Sequence, residues 1–346
     1  MSLSADDANL HDDAHLEAAL RDMHLIGPNE QPRCTPLTGG VSSDIWKVET
    51  RRGVFAVKRA RAQLKVAQEW RAPIERNAYE VKWFRVANAV VPGCAPEVLG
   101  EDRALGLFAM TYLDPAAHPV WKEELRNGRV DVAFAAEAGR RLACIHAATA
   151  GDPRIAADFP TDATFHAIRL EPYLEATARA HPEVAGQLMM LSRATLARKV
   201  ALVHGDISPK NILVGPAGPI FLDAECAWYG DPAFDLAFCL KHFLLKCLWT
   251  PDSAPDFLAA FQATADAYLA SATWESRDQL EARVARLLPG LFLARADGKS
   301  PVEYITEAGK ARVRRVAVPL IAESPARLAT IVDRWSDELA RSKDRP

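Results

Sequence analysis

Three short apolar runs in the second half of the chain are separated by polar residues in a fixed order. The runs are residues 200–203, 212–214 and 220–222. Residues 215–219, which read Gly-Pro-Ala-Gly-Pro, form a turn signal, so the last two runs are predicted to pair as a hairpin. Such a hairpin would bring Asp223 back beside the loop that carries Asp206 and Asn211. The sequence therefore predicts two carboxylates and one amide around a small volume.

The chemistry of these side chains suits the transfer of a phosphoryl group. Magnesium prefers oxygen ligands, retains several waters and needs few protein groups. A further carboxylate has to face the attacking hydroxyl and accept its proton. The protein otherwise contributes positioning and neutralisation of charge. Asp206, Asn211 and Asp223 supply the residue types that this reaction requires.

The pattern H-G-D-x-x-x-x-N…D resembles the catalytic and metal loops of the aminoglycoside phosphotransferase and choline kinase superfamily. The resemblance implies ATP and Mg²⁺ as cofactors and an α+β, bilobal, protein-kinase-like fold. In that fold a small β-rich N-lobe is joined to a larger, mostly helical C-lobe. It also implies that Asp206 is the catalytic base or hydroxyl-orienting group, and that Asn211 and Asp223 hold the metal.

A closer local similarity follows the third apolar run. Residues 223–235 are similar to the D-x-E metal motif and the following segment of methylthioribose kinases. By that similarity Glu225 would assist the metal, and Asp235 would brace the catalytic loop by accepting backbone hydrogen bonds. Asn211 departs from the methylthioribose kinase pattern and matches that of aminoglycoside kinases, which leaves the acceptor open.

The first third of the chain is predicted to bind the nucleotide. Its turn before a strand resembles the phosphate-covering hairpin of the superfamily, and the candidate residues there are Gly39, Gly40, Ser42 and Ser43. Lys58 ends the run 54–58, much like the V-A-I-K strand of kinases, and would bind the α- and β-phosphates. Met110 and Tyr112 lie in the predicted crossover between the lobes, where backbone groups could bind adenine.

A buried phosphate-binding lysine needs a carboxylate to orient it. Glu69, Glu75 and Glu80 are all candidates on the stretch 63–89, which is predicted to be helical with a break at Pro73. Glu80 is preferred because the stretch 70–80 is similar to the corresponding part of methylthioribose kinases. The prediction is therefore a Lys58–Glu80 ion pair.

Length and texture predict two domains. A chain of 346 residues exceeds what one hydrophobic core usually supports. Strand-like runs dominate up to residue 113 and helical patterns dominate after it, so residues 1–113 are predicted as the N-lobe and 114–346 as the C-lobe. Residues 1–15 are acidic and polar and are predicted to be disordered, with a short helix following near 16–23.

Charge and cysteine usage exclude several functional classes. A formal net charge of −3 gives no electrostatic footprint for nucleic acid or an anionic membrane. The acidic N-terminus does not read as a signal peptide, and no apolar run is long enough to span a bilayer. Six cysteines without a C-x-x-C pair are interpreted as free thiols of a cytoplasmic protein.

These observations predict an ATP- and Mg²⁺-dependent kinase for a hydroxyl of a small metabolite, sugar-like or amino-alcohol, or of an antibiotic. Lys210 and the basic pair Arg314 and Arg315 are candidates for acceptor binding. The basic segment 312–315 argues against a cationic aminoglycoside and favours a neutral or sugar-like acceptor. The alternative from another class is a weak or inactive kinase-like protein that only binds nucleotide. Oligomeric state is left open.

Overall fold

The computed structural model describes residues 16–37, 43–60 and 76–341. The chain divides into two compact units. The first comprises Met1–Asn88 and Ala95–Asp114, and the second comprises Ala89–Cys94 and Pro115–Pro346. The predicted disorder of 1–15 and the predicted helix over 63–75 lie outside the described residues.

The first unit contains a five-stranded antiparallel sheet with the order β1-β2-β3-β5-β4. Its strands are β1 (Arg33–Leu37), β2 (Ser43–Thr50), β3 (Gly53–Ala60), β4 (Val98–Asp102) and β5 (Leu107–Thr111). The predicted apolar strand runs near 54–57 and 106–112 fall in β3, the central strand, and in β5, which pairs with it. A small β-rich region in the N-terminal part is therefore confirmed.

Helices cover this sheet. Residues 16–22 are helical, as predicted, and form α1, whose Leu16 and Leu20 pack with Val48 and Phe55 in one apolar cluster. The helix α2 (Arg76–Val90) follows the segment at 61–75. Its Asn77 Nδ2 donates to Gly106 O at 2.8 Å, which ties α2 to the turn before β5.

The second unit is mostly helical, as predicted for the C-terminal half. Its α-helices are α3 (Trp121–Arg126), α4 (Val132–Thr149), α5 (Pro153–Asp158), α6 (Asp162–Phe165), α7 (Ala176–Ala180), α8 (Ala185–Ala197), α9 (Ala233–Trp249), α10 (Ala254–Ser271), α11 (Arg277–Asp297), α12 (Glu307–Glu323) and α13 (Leu328–Arg341). Single 3₁₀ turns lie at Pro182–Val184, Pro209–Asn211 and Pro251–Ser253. The helix α9 is apolar nearly all round and runs through the interior, as expected for a central core helix.

A π-helical segment, His166–Glu175, joins α6 to α7. Pro172 lies inside it and has no N–H to donate, which favours a wider turn over a regular α-helix. Arg169 and Tyr173 project from this segment four residues apart.

The strand-rich island of the second unit forms two small sheets. Strands β7 (Ile212–Gly215) and β8 (Gly218–Phe221) pair antiparallel, which confirms the predicted hairpin. Strand β6 (Ala201–Val203) pairs instead with β9 (Trp228–Gly230), a strand that the sequence pattern did not reveal. The loop 204–211 therefore starts at one small sheet and ends at the other.

Among the described residues, no helix is both long enough and apolar enough to cross a membrane.

Candidate active site

Lys58 and Glu80 form a buried ion pair in the first unit. Lys58 Nζ donates to Glu80 Oε2 at 2.7 Å, and the residues are 3% and 1% exposed. Strand β3 and helix α2 position the two side chains, so the predicted Lys58–Glu80 ion pair is present. Glu69 and Glu75, the other candidates, lie outside the described residues. Nucleotide binding by Lys58 and Glu80 stays a prediction.

The other predicted nucleotide contacts are only partly described. Gly39, Gly40 and Ser42 lie outside the described residues. Ser43 begins β2 and is buried, and its Oγ has no hydrogen-bond partner in the described parts of the chain. Met110 lies in β5 and pairs with both neighbouring strands. The Tyr112 ring lies 5.3 Å from Lys47 Nζ, just after β5 ends.

Asp235 braces the loop that precedes the hairpin, as the sequence predicted. Its carboxylate is fully buried and accepts from the backbone N–H of His204 at 2.7 Å and of Gly205 at 2.8 Å. His146 Nε2 lies 3.2 Å from the same carboxylate and is also fully buried. His146 thus orients Asp235 from inside the core.

His204 links the loop to the hairpin. Its Nδ1 accepts from Asp206 N–H at 3.1 Å and its Nε2 donates to Leu222 O at 3.0 Å. Burial, only partly offset by Asp235 and other carboxylates, lowers the pKa of His204, which keeps the imidazole neutral. His204 therefore has a structural role in this loop.

Gly205 is required by the geometry of this loop. Its φ is +81°, a left-handed conformation that strains other residues. A Cβ at this position would also lie 2.6 Å from Cys226 O. The close approach holds the loop against the segment that follows β8.

Asp206 lies at the centre of a group of donors. Its Oδ2 is 3.0 Å from Arg169 Nη2, 3.2 Å from Lys210 Nζ and 2.9 Å from Asn211 Nδ2. Asn211 Nδ2 also donates to Asp206 O at 3.1 Å. These three side-chain contacts converge on Oδ2, so Oδ1 is the oxygen that can face an incoming hydroxyl.

Burial and the neighbouring cations have opposite effects on the pKa of Asp206. Burial alone raises the pKa of this carboxyl, but Arg169 and Lys210 outweigh it and hold the pKa below its usual value. The ion pair with Asp206 raises the pKa of Lys210, although the Lys210 side chain is 55% exposed. Both groups are therefore charged near neutral pH.

Asn211, Asp223 and Glu225 offer oxygen atoms close to Asp206. Leu222 N–H donates to Asn211 O at 2.8 Å, which places Asp223 next to Asn211 at the base of the hairpin. Asp223 has a φ of +64°, and its negative charge acts to raise the pKa of Asp206. Glu225 lies close enough to Arg169 to favour its charged form. Asn211 and Asp223 thus lie beside Asp206, while Glu225 interacts with Arg169, the partner of Asp206.

This donor set fits a hard divalent cation that keeps most of its water. It consists of one amide and two carboxylates, which are the ligand types that magnesium prefers. In the described parts of the chain, no group of three or more His, Cys, Asp or Glu residues is arranged as a metal site. A metal held here would therefore need ligands beyond the protein, such as phosphate oxygens and water.

Arg169 is the main residue at this site that sequence reasoning missed. Besides its ion pair with Asp206, its Nε donates to Gly205 O and its Nη1 to Ile168 O. The guanidinium is nearly buried, and the contact with Asp206 helps keep it charged. The sequence feature that could have drawn attention to Arg169 is Pro172, which indicates an irregular helix nearby. No sequence pattern, however, connects Arg169 to Asp206.

The basic pair predicted for acceptor binding is already neutralised. Arg314 Nε donates to Asp297 Oδ2 at 2.8 Å and Arg315 Nη2 donates to Glu338 Oε1 at 2.6 Å. Arg312 also lies 3.5 Å from Glu338. These ion pairs connect α12 to α11 and α13. Acceptor binding by Arg314 and Arg315 stays a prediction, and Lys210 is the candidate that contacts Asp206.

The six cysteines are free thiols, as expected. Four are buried and two are partly exposed. Burial raises the pKa of Cys94 and Cys239 to about 12, so these thiols stay protonated.

Comparison with known proteins connects this site to one family. The model of the phosphotransferase enzyme family, APH, matches residues 33–280. Methylthioribose kinase 1 of Oryza sativa subsp. japonica is 24% identical over 225 residues, covering 56% of this chain and 51% of that protein. Methylthioribose kinase of Escherichia coli is 25% identical over 254 residues, covering 65% of this chain and 60% of that protein. The chain spans little more than half the length of these curated relatives.

Solved structures show the same fold. An amicoumacin kinase in complex with AMP-PNP, Ca²⁺ and Ami superposes with a TM-score of 0.50 and 15% identity, covering 93% of this chain and 97% of that one. At this identity the likeness concerns the fold alone, which is kinase-like, as the sequence predicted.

Proposed function

The chain belongs to the phosphotransferase enzyme family, and we propose that it is a kinase that transfers the γ-phosphoryl group of ATP to a hydroxyl of a small molecule. The observation that carries this proposal is the arrangement around Asp206: a braced loop, donors on one carboxylate oxygen, and Asn211 and Asp223 alongside. The curated relatives named methylthioribose kinase support the same reaction class.

Each residue of the site has a role in this proposal. Asp206 orients the acceptor hydroxyl through Oδ1, because the known contacts occupy Oδ2. Lys58, oriented by Glu80, binds phosphate oxygens of the nucleotide. The predicted glycine turn at 39–40, with Ser42 and Ser43, covers the phosphates, and backbone groups near Met110 and Tyr112 bind the base.

Asn211 and Asp223, assisted by Glu225, are proposed to hold Mg²⁺. When bound, the metal would neutralise negative charge on the phosphates. Support comes from the oxygen-only donor set and from the related fold that was solved with AMP-PNP and Ca²⁺.

In the transfer step, the acceptor oxygen forms a bond to the γ-phosphorus of ATP. The bond between that phosphorus and the oxygen that bridges the β- and γ-phosphates breaks. ADP leaves and Asp206 receives the hydroxyl proton. The lowered pKa of Asp206 makes it a weak base, so it accepts the proton late, after the phosphoryl group has largely transferred. Its first contribution is to align the hydroxyl.

The test is a screen of hydroxylated metabolites for acceptor-dependent ADP release, with the variant Asp206→Ala beside the wild type. We expect turnover to fall by about 10³-fold or more in Asp206→Ala because the orienting and proton-accepting group is lost. The Kd for ATP should change by less than about 3-fold. Asp256→Ala, which removes an exposed carboxylate on α10, is the matched control and should behave as wild type.

Two results would contradict the proposal. One is wild-type turnover in Asp206→Ala. The other is the absence of acceptor-dependent ADP release from every compound class, acids, neutral polyols and amines alike.

A further inference from the structure

Among the described residues, four basic side chains of the second unit have a buried nitrogen without a hydrogen-bond partner. One is Arg312, whose Nε lies 3.5 Å from Glu338 Oε1. The other three lie on α9 and α11 and are Lys241 (Nζ), His242 (Nε2) and Arg295 (Nε). We call Lys241, His242 and Arg295 the unpaired basic cluster. Lys241 is 0% exposed, so bulk water does not replace the missing acceptor. A buried donor without a partner is costly, and a buried cation more so.

The unpaired basic cluster lies beside the proposed catalytic carboxylate. Lys241 Nζ is positioned over the ring of Phe238 and lies 4.8 Å from the centroid of the Tyr173 ring. The guanidinium of Arg169 lies 5.7 Å from the centroid of the same Phe238 ring. Because Arg169 Nη2 is 3.0 Å from Asp206 Oδ2, the side chains of Phe238 and Arg169 connect the cluster to Asp206.

The charges around Lys241 do not compensate it. Arg295 and Arg169 both act against its protonation, and Asp206 is the only carboxylate that favours it among the strongest influences on this amine. Asp206 in turn already pairs with Arg169 and Lys210. Arg295 donates through Nη1 to Ser300 Oγ at 2.8 Å and to Tyr173 Oη at 3.4 Å. Among the described residues, neither Lys241 nor Arg295 therefore has a carboxylate partner at hydrogen-bond distance.

We propose that the acceptor substrate carries an anionic oxygen group, a carboxylate or a phosphate, that binds Lys241 and Arg295 while its hydroxyl faces Asp206. The proposal deepens the proposed function and rests on it. The rings of Tyr173 and Phe238 form the apolar wall of this subsite. The long stems of Lys241 and Arg295 allow their heads to turn toward an entering anion, which completes their hydrogen bonding.

This assignment changes the interpretation of the acceptor. The sequence favoured a neutral or sugar-like acceptor because of the segment 312–315, but Arg314 and Arg315 are neutralised by Asp297 and Glu338. The basic side chains without a carboxylate partner lie on α9 and α11 instead and are those of the unpaired basic cluster. Acidic hydroxylated compounds therefore fit the site better than neutral or cationic ones.

The first experiment measures binding without nucleotide, so its outcome does not depend on catalysis. The Tm of the full chain is recorded at constant ionic strength with four compounds on one three-carbon frame: glycerate, glycerol 3-phosphate, glycerol and 2-aminopropane-1,3-diol. We expect either anion to raise the Tm by about 2 °C or more at saturation, and the neutral and cationic compounds to leave it unchanged. The stronger of the two anions identifies the group as carboxylate or phosphate.

The variant Lys241→Met tests the residue. It keeps the apolar stem and removes the charge, so we expect it to abolish the anion-dependent shift. Without ligand its Tm should rise above that of the wild type, because a buried amine without a hydrogen-bond acceptor is replaced by an apolar side chain. Lys310→Met is the matched control, since Lys310 already pairs with Glu307 at 2.7 Å, and it should keep the anion-dependent shift.

The second experiment measures acceptor-dependent ADP release with the same four compounds. We expect Lys241→Met to lower kcat/KM for the preferred anion by about 30-fold or more and to leave kcat/KM for glycerol within about 2-fold. An equal Tm shift with anionic and neutral compounds, or a shift that survives in Lys241→Met, would overturn the proposal. A failure of the kinase reaction alone would leave the anion-dependent Tm shift intact.

Discussion

Each of the two units buries a lysine, and the two lysines differ in one respect. In the first unit, Lys58 is 3% exposed and pairs with Glu80 at 2.7 Å. In the second unit, Lys241 is 0% exposed and its Nζ has no hydrogen-bond partner among the described residues. The same functional group is therefore fully compensated in one place and uncompensated in the other.

The difference separates two uses of a buried cation. A paired lysine is already protonated and held in one position, so it can bind a phosphate without first gaining a proton or changing its conformation. An unpaired lysine in an apolar setting loses its proton easily, and an anion that enters restores the charge. Lys58 is thus preorganised, whereas Lys241 depends on what binds.

The largest expected effect comes from making Lys58 resemble Lys241. Glu80→Leu leaves the ammonium of Lys58 buried without its carboxylate, so we expect the free energy of unfolding to fall by about 3 to 5 kcal/mol in urea denaturation. Lys58→Met combined with Glu80→Leu should recover most of that loss, because the buried ammonium is removed together with its carboxylate.

Glu49→Leu is the control for that experiment. Glu49 pairs with Lys47 at 2.9 Å on the same sheet, but both side chains are partly exposed, so its loss should cost less than about 1 kcal/mol. Equal losses for Glu80→Leu and Glu49→Leu would erase the contrast between the two lysines.

A smaller effect is expected from Arg169, which lies between Asp206 and the unpaired basic cluster. Arg169→Met removes the donors to Asp206 and to Gly205 O, so we expect kcat to fall about 30-fold with KM for ATP changed less than about 2-fold. Arg169→Lys keeps the positive charge but lacks the planar set of guanidinium donors, so its kcat should lie between those of Arg169→Met and the wild type.

Arg179→Met is the control for Arg169. Arg179 pairs with Glu171 at 2.6 Å at an exposed position nearby, and its loss should leave kcat unchanged. A KM effect equal to the kcat effect in Arg169→Met would mean that Arg169 supports binding and not the position of Asp206.

The smallest effect concerns Lys246, a third buried lysine on α9. It is 2% exposed, and its Nζ lies over the rings of Trp249 and Tyr304. Burial lowers the pKa of Lys246 to about 7, and the positive charge of Lys122 acts in the same direction. Glu303 and Glu123 offset this only in part. Above pH 7 the unfolded chain keeps this proton and the folded chain does not. Stability therefore rises with pH between about 7 and 10.

The measurement compares unfolding in urea at pH 7 and pH 9. We expect the stability gained over this interval to be about 1 to 2 kcal/mol larger in the wild type than in Lys246→Met. Identical pH dependence in the two proteins would mean that Lys246 keeps its proton when buried, unlike the uncompensated amine inferred for Lys241.

Much of the fold and part of the site could be predicted because the relevant contacts are local or follow a repeated pattern. The hairpin follows from the Gly-Pro turn at 215–219 between two apolar runs. The pairing of Lys58 with Glu80 and the bracing role of Asp235 came from motif similarity, and the structure confirms both contacts.

The remaining contacts depend on tertiary packing that no short pattern records. Arg169 reaches Gly205 across 36 positions, from a π-helical segment whose register Pro172 disturbs. Strand β9 was missed because its three residues contain an aromatic pair that also suits a core loop. The segment 312–315 looked available because the sequence does not show that Asp297 and Glu338 face it.

Helix α9 connects two features that were described separately. Asp235, which holds the loop at His204 and Gly205, lies six positions before Lys241 on the same rod, or about 9 Å along its axis. The Asp235 carboxylate accepts several hydrogen bonds, whereas Lys241 Nζ can still donate hydrogen bonds to a ligand. Side chains on that stretch can be exchanged to admit a different acceptor without disturbing the residues that align the hydroxyl, so selectivity and chemistry are separable along one helix.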